Sequence, residues 1–125
     1  MAYVDGYVLP LPKKRLATYK KMATLAAKAW MDCGALEYRE CVLEDSNVKF
    51  GLPFPKGMKL KKSETAIFAW VVFKSRKHRD KVNAAVMKHF AIQESMAAGK
   101  TKKHAMPFDP KRMMYGGFTP LVTAG

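Results

Sequence analysis

Two cysteines, three histidines and ten acidic residues are all that this chain of 125 residues contains, and each shortage removes a class of function. Cys33 and Cys41 form no Cys-x-x-Cys pair, and no histidine stands at ligand spacing from either. His89 and His104 also lack companions, so no protein-built metal site is expected. Both cysteines read as buried thiols, Cys33 on the apolar stripe of a helix and Cys41 in a strand. There is no Gly-x-Ser-x-Gly elbow, no phosphate-binding loop and no dinucleotide fingerprint, and no cofactor is expected. No apolar run approaches the roughly 20 residues of a membrane helix. A basic-then-apolar leader is missing as well, because Asp5 and Gly6 interrupt the first residues, so the expected location is cytoplasmic.

What the chain has in excess is positive charge. The formal charge is +13, from 23 basic and 10 acidic residues. Residues 1–48 carry seven basic and six acidic side chains, whereas residues 49–112 carry sixteen and four. Such a field attracts nucleic acid, anionic lipid or an acidic small molecule. Its plainer reading is a solvated lysine surface, since Lys59, Lys61, Lys62, Lys100, Lys102 and Lys103 fall in loop-like segments.

The chain also has one short run with no polar alternation, Ile67 to Phe73. Rich in β-branched and aromatic residues, it reads as a strand buried on both faces. Ile67, Ala69, Val71 and Phe73 fall on one face, and Phe68, Trp70 and Val72 on the other.

Tyr3 to Leu9 reads as a first strand ended by Pro10 and Pro12, with Val4, Gly6 and Val8 toward a helix and Tyr3, Asp5 and Tyr7 on the other face. Leu16, Tyr19, Ala23, Ala26, Trp30 and Cys33 recur at steps of three and four, a helix that Gly34 caps. Ala35 to Glu44 is a second strand, with Leu36, Tyr38 and Val42 on its apolar face and Glu37, Arg39 and Cys41 opposite. Gly51, Pro53, Pro55 and Gly57 mark a loop or flap at about 46–63, unusually apolar for a solvated one. After the buried strand, Ser75 is an N-cap for a helix with Val82, Ala85, Val86 and Phe90 on its stripe. Ala91 to Ala98 continues as a separate short helix, and Lys100 to Lys103 forms a basic linker. Asp109-Pro110 starts a single helical turn, and Met113 to Phe118 is the last strand.

The order strand, helix, strand, strand, helix, strand predicts an α+β domain over 1–125. Its class is ferredoxin-like βαββαβ, a four-stranded antiparallel sheet with two helices on one face. The other face is uncovered in a monomer, so a homodimer with sheets face to face is expected.

Tyr-Val-Asp-Gly-Tyr-Val-Leu-Pro at 3–10, Gly-Ala-Leu-Glu-Tyr-Arg-Glu-Cys at 34–41 and Lys-Ser-Arg-Lys-His-Arg-Asp at 74–80 closely resemble the YbaA-like bacterial family. So do Met-Pro-Phe-Asp at 106–109 and Arg-Met-Met-Tyr-Gly-Gly-Phe at 112–118. The resemblance implies a domain of unknown function within the dimeric α+β barrel superfamily, and hence pairing as a dimeric barrel. It brings no reaction. Relatives in that superfamily include cofactor-independent monooxygenases and isomerases, several of which bind a ligand between helices and sheet or inside the barrel.

Chemistry-bearing residues gather on the strands. Asp5, Glu37, Arg39 and Tyr115 are the catalytic candidates, with Tyr3, Tyr7 and Met113 beside them as ligand contacts. In a water-poor barrel interior such groups have shifted pKa values that acid–base chemistry uses. Alternatively, Asp5, Glu37 and Arg39 satisfy one another across a dimer interface. His78, in the first turn of the second helix, is a candidate base, and Arg76 and Arg79 beside it could dock an anion; the alternative is a solvated helix start. Three functions compete: a small-molecule site, a non-enzymatic scaffold dimer and nucleic-acid binding. The last would be electrostatic only, because Ile67–Phe73 lacks the glycines and basic residues of an RNA-reading platform.

Overall fold

The computed structural model describes residues 2–99 and 106–125; the basic linker Lys100–Lys103 and His104 lie outside the described residues. The fold is α+β. Strands β1 (Tyr3–Pro12), β2 (Glu37–Val42), β3 (Glu64–Phe73) and β4 (Met114–Phe118) form one open antiparallel sheet in the order β2-β3-β1-β4. Four helices accompany it: α1 (Leu16–Asp32), α2 (Phe54–Gly57), α3 (Arg76–Val86) and α4 (Phe90–Gly99). Helix α4, expected from the sequence as a separate short helix over Ala91 to Ala98, packs on α1, whereas α2 forms inside the expected flap. None of the described helices is long and apolar enough to cross a membrane.

The helix ends follow local chemistry. Gly34, at φ +113°, closes α1: Gly34 N–H donates to the Met31 carbonyl (3.2 Å) and Ala35 N–H to the Trp30 carbonyl (2.9 Å). Ser75 Oγ accepts from His78 N–H (3.0 Å) at the start of α3. Asp109 does the same for Lys111 N–H (2.9 Å) at a 3-10 turn over Pro110–Arg112. His89 Nε2 stands 2.9 Å from Asp32 Oδ2, joining the start of α4 to the end of α1. Of the expected apolar stripes, Tyr19 of α1 and Val82 and Val86 of α3 are buried, joined by Ala29, whereas Leu16, Ala85 and Phe90 are exposed.

Strand β1 departs from expectation twice. It runs on through Pro10 and Pro12 instead of ending there. Lys13 N–H donates to the Ser63 carbonyl (2.8 Å), so by alternation Leu11 and Leu9 also point their amides at β3. The two prolines therefore turn their ring nitrogens to the other side, where β4, paired only with Val4–Val8, has already stopped.

Its faces are also reversed. Tyr3 lies opposite Phe73, Asp5 opposite Val71 and Tyr7 opposite Ala69, and directly opposed residues share a face. Phe73 and Val71 pack with Ala29, Val82 and Val86, so Tyr3, Asp5 and Tyr7 lie beneath the helices. Val4, Gly6 and Val8 lie on the open face, where the Phe118 ring closes over Gly6.

Within the single chain, the run Ile67–Phe73 of β3 is buried on one face only. Ile67, Ala69, Val71 and Phe73 are buried, whereas Phe68 is 46% exposed and Trp70 and Val72 are half-buried on the open side. Phe54 of the flap reaches Phe68 edge-on at 6.3 Å, but Phe50 and Leu52 stand in solvent. Because Phe73 is fully buried at the centre of the core, Phe73→Ala is expected to lower the unfolding free energy by about 3–5 kcal/mol, measured by urea denaturation.

Candidate functional site

A cavity of about 160 Å³ lies between α1 and the helix-side face of the sheet. Its floor is Tyr7 and Leu9 of β1, Tyr38 and Glu40 of β2 and Ala69 and Val71 of β3; Tyr19, Met22, Ala23, Ala26 and Trp30 of α1 roof it. Phe108 and Met113, flanking the 3-10 turn at Pro110–Arg112, close one side. That side is pinned to β3: Arg112 donates to both Glu64 oxygens, at 2.6 and 3.2 Å. The Arg112 contacts hold the Glu64 carboxyl below its usual range.

Among the described residues, the cavity lining has one charged group. Glu40 accepts the Tyr38 hydroxyl at 2.5 Å on one oxygen and the Tyr19 hydroxyl on the other. Burial first, then the carboxylate, pushes both phenols well above their ordinary value of 10.0. They remain neutral donors at physiological pH and fix the carboxylate against the wall.

Tyr7 connects the cavity to a second polar group. It stacks on Tyr115 at 4.7 Å between centroids. The Tyr115 hydroxyl accepts from Arg79 Nη1 (2.9 Å), which also donates to Asp5 Oδ1 (3.2 Å). Arg79 Nη2 reaches the Tyr3 hydroxyl at 3.4 Å, and the guanidinium lies 4.9 Å from the Tyr3 ring centre. Gly117 makes room for Tyr3; a Cβ there would collide with its phenol ring. Asp5 is wholly buried, and burial raises its pKa against the pull of Arg79. Arg79 Nε lies 2.9 Å from Asp80 Oδ1 but is not aimed at it, and has no hydrogen-bond partner. Burial also raises the Tyr7 and Tyr115 phenols, with the Asp5 charge adding to it. Raised in this way, neither Tyr7 nor Tyr115 is a base at neutral pH.

The candidates from the sequence are therefore divided. Tyr3, Asp5, Tyr7 and Tyr115 come together on the helix side with Arg79, and Met113 and Tyr7 line the cavity. Glu37 and Arg39 lie across the sheet on its open face, exposed and 4.0 Å apart, with Glu37 accepting the Trp70 indole N–H at 2.5 Å. The set expected to face one interior is split by the reversal of β1. Arg79 turns inward instead of docking an anion beside Arg76, which is exposed. His78 Nδ1 accepts the Lys74 amide at 3.0 Å, so the proton of the neutral ring sits on Nε2, beside Gly34. Among the described residues, no three His, Cys, Asp or Glu side chains gather to hold a metal.

Sequence reasoning missed Glu40, Tyr19 as its partner, and Asn83, whose amide oxygen accepts the Trp30 indole N–H at 3.0 Å. Glu40 had a visible signal: it breaks the apolar alternation between Tyr38 and Val42. The sign of the tyrosine shifts sets a prediction. Folded-state pKa values raised above the unfolded ones contribute stability that is intact below pH 10.0 and lost as pH rises beyond it. Stability is thus expected to fall above that pH, by up to about 1.4 kcal/mol per pH unit for each of Tyr7, Tyr19 and Tyr38. Phenolate absorbance should rise together with loss of circular dichroism; ionisation of all tyrosines near their ordinary value in the folded protein would contradict it.

Residues 2–110 match the model of a family described as protein of unknown function DUF1428. The chain is 33% identical over 122 residues to the uncharacterized protein YbaA of Escherichia coli K12, covering 98% of each. The proteins of the same name from Escherichia coli O157:H7 and Shigella flexneri give the same figures. With most of its length matched, the chain belongs to the DUF1428 family.

Proposed function

We propose that this protein binds, or converts, a small organic molecule in the cavity between α1 and the sheet. The observation that carries the reading is a mainly apolar space of about 160 Å³ with one carboxylate held by two phenols. An apolar cavity of roughly that size accepts a single benzene-sized molecule, and leaving it unfilled costs on the order of a few kcal/mol. A few fixed polar groups in an apolar cleft are the usual build of a ligand site. Screening single-ring molecules by protein-observed NMR is expected to give binders that shift Trp30, Tyr38 and Met113. Ala26→Leu, which fills the cavity, should abolish binding while stability holds or rises. Binders that persist in that variant would overturn the reading.

The ligand site sits in a larger assembly on this reading. The chain is one ferredoxin-like domain over 1–125, and two copies pair through the open sheet faces as a dimeric α+β barrel. Support comes from the apolar character of that face, where Val4, Val8, Phe68, Trp70 and Phe118 gather. A basic nucleic-acid binder and a scaffold dimer are the alternatives, and neither uses the cavity. Sedimentation is expected to give a dimer for the wild-type chain and a folded monomer for Phe68→Asp/Phe118→Asp. A wild-type monomer would end the pairing proposal and leave the cavity untouched.

A further inference from the structure

Among the described residues, no cation of this strongly basic chain lines the cavity. Glu40 is the single charged side chain in its lining, and among the described residues no Lys, Arg or His lies within ion-pair distance of it. Tyr19 and Tyr38 orient the carboxylate without neutralising it, and each oxygen keeps a further acceptor direction. A half-buried carboxylate in an apolar space is costly unless a positive charge meets it.

The rest of the lining suits a positive charge too. Trp30 and Tyr38 stand 6.0 Å apart with rings tilted at 42°, and Tyr19 meets Phe108 edge-on at 5.8 Å. Tyr7 adds a fifth aromatic ring to the lining. Aromatic faces attract cations through the ring quadrupole, best where water is excluded, and cages of such rings recognise alkylated ammonium groups.

Resting on the reading of the cavity as a ligand site, we infer that its ligand is a compact organic cation, an ammonium group bearing small alkyl substituents. Its charge would meet Glu40 and its alkyl groups the aromatic walls. The volume of about 160 Å³ suits a molecule of that size. A neutral ring with one donor also fits the space, but leaves the carboxylate charge unmatched. The basic exterior slows the approach of a cation only at close range, since exposed charges are screened beyond about 8 Å at physiological salt.

Calorimetric titration of the full chain with choline and with its uncharged isostere, in which carbon replaces the nitrogen, tests the inference. Choline is expected to bind at least about tenfold more tightly than the isostere. Glu40→Gln should remove most of that preference, weakening choline far more than the isostere. Should Glu40→Gln fail to fold, Trp30→Leu serves in its place, weakening choline several-fold more than the isostere. Equal affinities for the two compounds, or binding of neutral single-ring molecules but not choline, would overturn the cation and spare the ligand site. Binding of none of these molecules would remove both.

Discussion

A carboxylate with no exposure to water sits near the start of β1, one of the two central strands of the sheet, and the start of α3 is fastened to it. Asp5 needs a cation, and the one that reaches it, Arg79, comes from the first turn of α3. With Ser75 capping the same turn and Val82 and Val86 buried further along, the helix is held by its polar end and its apolar stripe together. Removing either partner of such a pair leaves an uncompensated buried charge, which is far more damaging than never having had one. The pair also sets which side of β1 faces the helices, and with it the placement of Tyr3, Tyr7 and Tyr115.

The cavity follows from that placement. Once Tyr7 and Leu9 form the floor, Ala23 and Ala26 of α1 are too short to reach it, and the larger residues at the rim hold the layers apart. Arg112 and Glu64 fasten the segment carrying Phe108 and Met113 to β3, so that the space keeps a defined wall. The tyrosines then divide the labour: Tyr19 and Tyr38 serve the carboxylate in the cavity, Tyr3 and Tyr115 the guanidinium, and Tyr7 stands between.

The α+β class, the four-stranded antiparallel sheet and the caps at Gly34, Ser75 and Asp109 were legible in the sequence because each depends on a few neighbouring residues. The orientation of β1 was not. Val-Gly-Val looks like the face to bury and Tyr-Asp-Tyr like the face to expose; what reverses them is an arginine 74 positions away. Nothing local to Asp5 announces it. For the same reason Glu37 and Arg39 were grouped with Asp5, from which the sheet separates them. Glu40 differs, since a carboxylate interrupting an apolar alternation is a local mark of a functional or specially satisfied position. Its partner Tyr19 is legible only once α1 is laid across β2.

The prolines of β1 have a consequence for the behaviour of the molecule in company. Beyond Val8 no strand among the described residues pairs with β1 on the β4 side, and an unpaired edge of that kind invites further strands to add. Pro10 and Pro12 occupy the positions that would otherwise donate there, so an incoming chain meets carbonyls without amides between them. The sheet is thereby blunted against templated growth into aggregates along this edge, while its apolar face stays free to meet another surface flat on.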